Sequence, residues 1–174
     1  MSLFEHGIFT EQSALRIHVC PDTEMVYIFE REAVLELILA GMCGTAPTYV
    51  NGVKTAEGYL VNPDLIRDVK KFQIVDMKKR FNITPNMTTS EKGRAAVKVV
   101  RYIVEIGKFP YGVDGMTEVT DKELQIAGID VIFSLKGRKL GFLDAEIKFD
   151  KTGGPRYMGG SGNLYIQSHE RNYN

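Results

Sequence analysis

Apolar and polar residues alternate with period two along 143–150. Leu143, Ala145, Ile147 and Phe149 fall on one side of an extended chain, and Asp144, Glu146, Lys148 and Asp150 on the other. Such a pattern usually belongs to a strand with one buried and one solvated face. Leu140 to Phe149 and Gly128 to Leu135 read as the two arms of a hairpin joined by Lys136-Gly137-Arg138-Lys139. Upstream the period changes to that of a helix: Ala96, Val99, Val100, Ile103 and Ile106 share one face over about 90–106. Thr88 with Glu91 three residues on forms a capping box at its start, and Gly107 ends it.

The first half of the chain is patterned more loosely. Ala14 to Val19 reads as a short strand, Pro21 to Glu24 as a turn, and Met25 to Phe29 as a strand of β-forming residues. Glu30 to Ala40 follows as a helix with Ala33, Val34, Leu37 and Ile38 on its apolar face and Gly41 as its stop. Thr45 to Gly58, carrying Pro47 and Asn51-Gly52, reads as a loop, and Tyr59 to Val61 as a short strand. Asn62-Pro63-Asp64 opens a helical turn, and Lys70 to Met77 is either strand or irregular. Phe109 to Asp121 and the glycine-rich stretch Lys151 to Gly162 read as loops, and Asn163 to His169 as a last strand. The glycine-rich stretch, with Arg156 and Tyr157, is either a mobile loop near a substrate or an ordinary surface loop.

A chain of 174 residues suits one well-buried domain. Residues 1–80 are expected to supply a strand and helix that complete a sheet, and 81–174 the chemical core. With 44% hydrophobic and 25% charged residues the composition is that of a globular protein. No apolar run reaches the length of a membrane span, and the N-terminus lacks the basic and apolar regions of a signal peptide. Cys20 and Cys43, without metal-ligand spacing, read as thiols in a reducing cytoplasm, and His6, His18 and His169 form no ligand pattern, which argues against zinc. Net charge is zero but uneven. Residues 1–60 carry eight acidic and three basic groups (−5), and residues 61–174 fourteen acidic and nineteen basic (+5). The basic clusters Lys70-Lys71, Lys78-Lys79-Arg80, Lys92/Arg94/Lys98/Arg101 and Lys136/Arg138/Lys139 are either solvated surface or the footprint of a phosphodiester substrate.

The chemistry-bearing set is Gly128-Ile129-Asp130 followed by Asp144-Ala145-Glu146-Ile147-Lys148. Asp130 and Glu146 are sixteen residues apart (146 minus 130), a spacing that two strands and a hairpin turn bring together. They are hard oxygen ligands suited to Mg²⁺, with Mn²⁺ as substitute, and the Ile147 carbonyl adds a further ligand. Lys148, on the face of Glu146, lies within reach of an attacking water and of a negatively charged transition state. Asp144 is either a second metal ligand or a solvated neighbour.

These pieces together resemble the PD-(D/E)XK nuclease superfamily, the restriction-endonuclease-like fold, over about residues 88–169. The resemblance implies an α/β fold with a mixed β-sheet core flanked by helices. It also implies a metal-dependent endonuclease acting on DNA, with Asp130, Glu146, Lys148 and, on the third strand, Gln167 as its site, and a homodimer. The family's capped helix has its counterpart in Lys92-Gly93-Arg94-Ala95-Ala96, and its third strand in Gly162-Asn163-Leu164-Tyr165-Ile166-Gln167.

Two departures stand out. Val97 occupies a helix position where many relatives carry glutamate, with Glu91 as the nearest substitute, and Gln167 stands where many carry a glutamate on the third strand. They leave open a catalytically inactive module that keeps the fold and binds nucleic acid or assembles with a partner. A hydrolase of another phosphate ester and an unrelated α/β protein with a polar strand also remain. The strand and helix at 25–40 resemble elements that relatives place after the third strand. The chain is therefore permuted, exchanges these elements between subunits, or bears an N-terminal extension.

Overall fold

A computed structural model describes residues 3–150 and 162–173. The chain starts with β1 (Leu3–His6), then the hairpin of β2 (Leu15–Cys20) and β3 (Met25–Glu30), and runs directly into α1 (Arg31–Leu39). A second hairpin, β4 (Gly44–Val50) and β5 (Val53–Val61), is followed by a 3₁₀ turn at Pro63–Leu65, β6 (Lys70–Gln73) and the short α2 (Met77–Arg80). Then come α3 (Thr89–Glu105), β7 (Gly115–Glu118), α4 (Lys122–Ile126), β8 (Val131–Leu135), β9 (Arg138–Phe149) and β10 (Leu164–Tyr173). The fold is mixed α/β.

Six strands form one sheet in the order β6-β3-β2-β9-β8-β7, in which only β2 and β9 run parallel. The pairing Leu15↔Ala145 to Val19↔Phe149 places a strand from the N-terminal region against the strand carrying Glu146 and Lys148. Residues 1–80 and 81–174 thus contribute to the same sheet. Leu15, Ile17, Val19, Val26, Ile28, Val131, Phe133, Ala145 and Ile147 line one face and pack against Ala96, Val99, Val100, Ile103 and Val104 of α3. The start of α3 is fixed as its sequence dictates. Thr88 Oγ1 accepts from Glu91 N at 3.1 Å, and Glu91 Oε1 accepts from Thr88 N at 3.1 Å.

A second sheet, β1-β10-β5-β4, is antiparallel throughout. Val61, Leu164 and Ile166 from it, with Ile8 and with Ala33, Val34 and Leu37 of α1, bury against Cys20 and Phe29 on the other face of the main sheet. Among the described residues no helix is long and apolar enough to cross a membrane.

Three expectations are corrected. Thr45 to Gly58 is not a loop but most of the β4–β5 hairpin, turned by Asn51 (φ 51°) and Gly52 (φ 78°), both left-handed as a two-residue turn requires. Pro47 fits because β4 is an edge strand, which need not donate on its open side. The loop expected at 109–121 contains β7, a four-residue edge strand paired to β8. The last strand does not join the sheet of β9. It lies between β1 and β5, and the position beside β9 belongs to β2.

Candidate active site

The site begins where α4 turns into β8. Gly128 (φ 79°) makes the left-handed turn, with Gly128 N and Ile129 N donating back to the carbonyls of Gln125 and Leu124. Asp130 is then clamped to β9 by two hydrogen bonds that bracket Glu146. Its N–H donates to Ala145 O at 2.8 Å, and its Oδ2 accepts from Ile147 N at 2.7 Å. Lys148 Nζ lies 2.9 Å from Glu146 Oε1. Asp130, Glu146 and Lys148, the three residues singled out by spacing, are therefore brought together.

The face of β9 that the alternation marks as polar is not solvated. Glu146 and Asp150 are each only 9% exposed, and β2 adds the buried Arg16 and His18. Burial pushes the Glu146 carboxyl up to about 7; Lys148 and Arg16 oppose the rise, and Asp130 and Glu11 add to it. Asp130 is raised for the same leading reason, against the hydrogen bond from Ile147 and the charge of Lys148. Two carboxyl groups are thus held side by side in a place that disfavours their charge.

A third carboxylate, absent from the sequence reading, stands beside them. Glu11 is 7% exposed, and its Oε1 takes a hydrogen bond from Arg16 while its Oε2, also buried, has no partner among the described residues. A Cβ placed on Gly128 would lie 2.8 Å from Glu11 Cγ and 3.3 Å from Glu146 Oε2, so both side chains converge on the space that this glycine leaves. The segment carrying Glu11 is tied down at both ends. Glu11 N donates to Gly7 O, Gln12 N to Ala127 O at 2.8 Å, and Ala14 N to Asp144 Oδ1 at 2.7 Å. Asp144 thus holds the backbone of the Glu11 segment.

Arg16 extends the network along β2. Its Nη2 lies 3.5 Å from His18 Nε2, and His18 Nδ1 lies 3.3 Å from Asp150 Oδ2. Arginine has no acceptor, so Nε2 is the lone-pair nitrogen and Nδ1 carries the proton toward Asp150. Burial lowers the His18 pKa, consistent with this neutral tautomer. The same Asp150 oxygen accepts from Tyr165 N at 3.2 Å. The sequence signal for this network was Arg16 and His18 alternating inside an otherwise apolar strand; Glu11 gave none.

The remaining sequence candidates sit elsewhere. Glu91 is exposed and occupied as the cap of α3, which lowers its pKa. Val97 packs against the apolar cluster under α3. Gln167 is on β10 in the second sheet, paired with Gly58, with its carbonyl accepting from Ile8 N at 3.0 Å. The Ile147 side chain is buried in the main core.

Among the described residues no group of three or more His, Cys, Asp and Glu side chains is arranged to hold a metal ion. What is present is a carboxylate pair with a third carboxylate close by, and the half-exposed Lys148 beside them. That donor set fits Mg²⁺, which keeps several waters and takes one or two carboxylates, and the unpartnered Glu11 oxygen is a further hard donor. Compared with family models, curated proteins and solved structures, the chain finds no match.

Proposed function

We propose that this chain is a Mg²⁺-dependent nuclease that hydrolyses phosphodiester bonds of DNA, with Mn²⁺ able to substitute. The observation that carries the reading is the buried meeting of Asp130, Glu146 and Lys148, with the unpartnered oxygen of Glu11 beside them. Burial disfavours the charge of Asp130 and Glu146, and a bound divalent cation would favour their ionised forms. Asp130 and Glu146 would hold the ion, with Glu11 beside them. When bound, the ion polarises the phosphoryl group and neutralises the carboxylates.

The protein's own groups do the rest. Ile147 N fixes the Asp130 carboxylate, so its second oxygen has a constant direction. Lys148, 34% exposed at its side chain, presents a cation at the mouth of the site, placed to stabilise negative charge on the phosphoryl oxygens and to orient water. Gly128 keeps the space between Glu11 and Glu146 clear. The β8–β9 hairpin backed by α3, with β2 parallel beside β9, supports a restriction-endonuclease-like arrangement in permuted order. Lys79 on α2 and Lys92, Arg94 and Lys98 on α3, in no ion pair among the described residues, would add positive charge for a phosphate backbone, whereas Lys78 is paired with Asp22 and Arg101 with Glu118.

A second reading is a nucleic-acid-binding module without turnover. It is favoured by the absence of a closed metal cage among the described residues. The discriminating experiment is cleavage of plasmid and oligonucleotide DNA with Mg²⁺, Mn²⁺ or EDTA, using wild type beside Glu146→Gln. Metal-dependent nicking that falls by on the order of 10³-fold in the variant supports the nuclease. Salt-sensitive binding with no cleavage of any substrate supports the module.

A further inference from the structure

The tip of the β8–β9 hairpin is built unlike the rest of the sheet. Lys136 (φ 51°) and Gly137 (φ 79°) make its two-residue turn, and both oxygens of Asp114 accept from Lys136 N at 2.9 and 3.0 Å, which pins the turn in place. Below the tip the register breaks: Ser134 pairs with Lys139 but Ile132 pairs with Asp144, so Phe133 alone faces residues 140–143. Leu140 and Leu143 turn inward against the main core. Phe142 is thrust outward and is 77% exposed, more than the exposed rings of Tyr49, Phe9 and Tyr111. Leu135 beside the turn is 39% exposed. Lys136, Arg138 and Lys139 surround the tip, and no ion pair among the described residues engages their side chains.

A single exposed ring is ordinary on a protein surface, but this one stands on a bulge with three cations that no ion pair among the described residues engages. We propose that the tip is a nucleic-acid contact in which Phe142 stacks on an unpaired base while Lys136, Arg138 and Lys139 hold the flanking phosphates. Aromatic rings interleaved with cations are what a single-stranded or branched nucleic acid requires, since every base offers a π-face and every linkage a negative charge. A second copy of this chain fits poorly, because a symmetric contact would bring the three uncompensated cations of one tip against those of the other. Phe142 lies four residues from Glu146 on β9, at most about 13 Å along the strand, or roughly four nucleotide steps. The inference rests on the nuclease reading and sharpens it: the substrate carries an unpaired segment beside the scissile bond.

The chain contains no tryptophan, so Phe142→Trp introduces a single indole reporter. In EDTA, where cleavage is suppressed, a forked duplex with an unpaired arm is expected to quench that indole, and a fully paired duplex of equal length to leave it nearly unchanged. Phe142→Ala should weaken binding of the forked substrate by about 5- to 100-fold and of the paired duplex by less than about threefold. Lys136→Ala with Lys139→Ala should weaken both and flatten the salt dependence. The exposure of Phe142 means that these variants should unfold at the wild-type temperature, which a thermal melt checks. Equal affinity of wild type and Phe142→Ala for the fork overturns the proposal, as does wild type binding no nucleic acid. A Phe142-dependent dimer in sedimentation would overturn it in favour of a second copy. Stacking without any Glu146-dependent cleavage would instead sink the nuclease reading and leave the tip's role standing.

Discussion

The two faces of the main sheet are built from the same strands and solve opposite problems. On one, Leu15, Ile17, Val19, Ala145 and Ile147 meet α3 and bury only apolar surface. On the other, the alternate residues Arg16, His18, Glu146, Lys148 and Asp150 are gathered with Glu11, and several are nearly as inaccessible. The first face contributes stability through apolar burial. The second buries charged groups at a cost in desolvation, beside the apolar cluster that Cys20 and Phe29 form with the second sheet and α1. The difference between the faces is a stronger pointer to function than either alone.

The contrast can be broken at its root by removing what both faces share. Deleting residues 1–40 removes β2, which lies between β3 and β9, and should abolish cooperative unfolding. A soluble 41–174 fragment with a sharp thermal transition would show that the sheet stands without it.

Within the polar face, Arg16→Met should cost about 3–5 kcal/mol, because it leaves the Glu11 carboxylate buried and uncompensated. Glu11→Gln added to Arg16→Met should recover most of that loss in urea unfolding. Independent, additive effects of the two would mean that the pair is not coupled.

A smaller effect tests the charge state. The Glu146 carboxyl rises from 4.5 to about 7 on folding, with Asp130, Glu11, Lys148 and Arg16 facing it. Between those two values the folded protein holds a proton that the unfolded chain has released, so this group's contribution to stability declines as pH rises. His18, lowered by burial, acts in the opposite sense: its contribution is present above 6.5 and is lost as pH falls below that value. The difference in unfolding free energy between wild type and Glu146→Gln, measured in EDTA, removes the His18 effect. It should fall by on the order of 3 kcal/mol from about pH 4.5 to about pH 7. A flat difference would mean that Glu146 titrates normally.

The smallest change belongs to the apolar side. Thr88→Ala removes the cap of α3 and should cost about 1 kcal/mol, with cleavage unchanged. A loss of activity in that variant would tie Glu91 to the chemistry after all.

What could be read from the sequence follows how local each feature is. The helix expected at 90–106 is α3 at Thr89–Glu105, because its period, its cap and Gly107 all lie within the segment. The hairpin of β8 and β9 was legible for the same reason, and with it the meeting of Asp130, Glu146 and Lys148. The edge strands β4 and β7 were not, since a strand paired on one side needs little alternation and tolerates proline and glycine. Pairing across long separations was the other blind spot. Nothing near Asn163 to His169 tells that this strand joins β5 rather than β9. Glu11 was invisible because residues 7–14 have no regular period and reach the site through long-range contacts, Gln12 N on Ala127 O and Ala14 N on Asp144 among them.

The parallel pairing of β2 with β9 also sets a timetable. During synthesis the β2–β3 hairpin leaves the ribosome early, but its neighbour is complete only once residue 149 has been made. At about 5–20 residues per second, the delay is roughly 6–26 s. For that interval the nascent chain carries an unpaired strand edge whose two sides are the apolar stripe of Leu15, Ile17 and Val19 and the row of Arg16 and His18. Closure of that long-range contact is therefore the step expected to limit folding, which a refolding rate slower than that of a local hairpin would show.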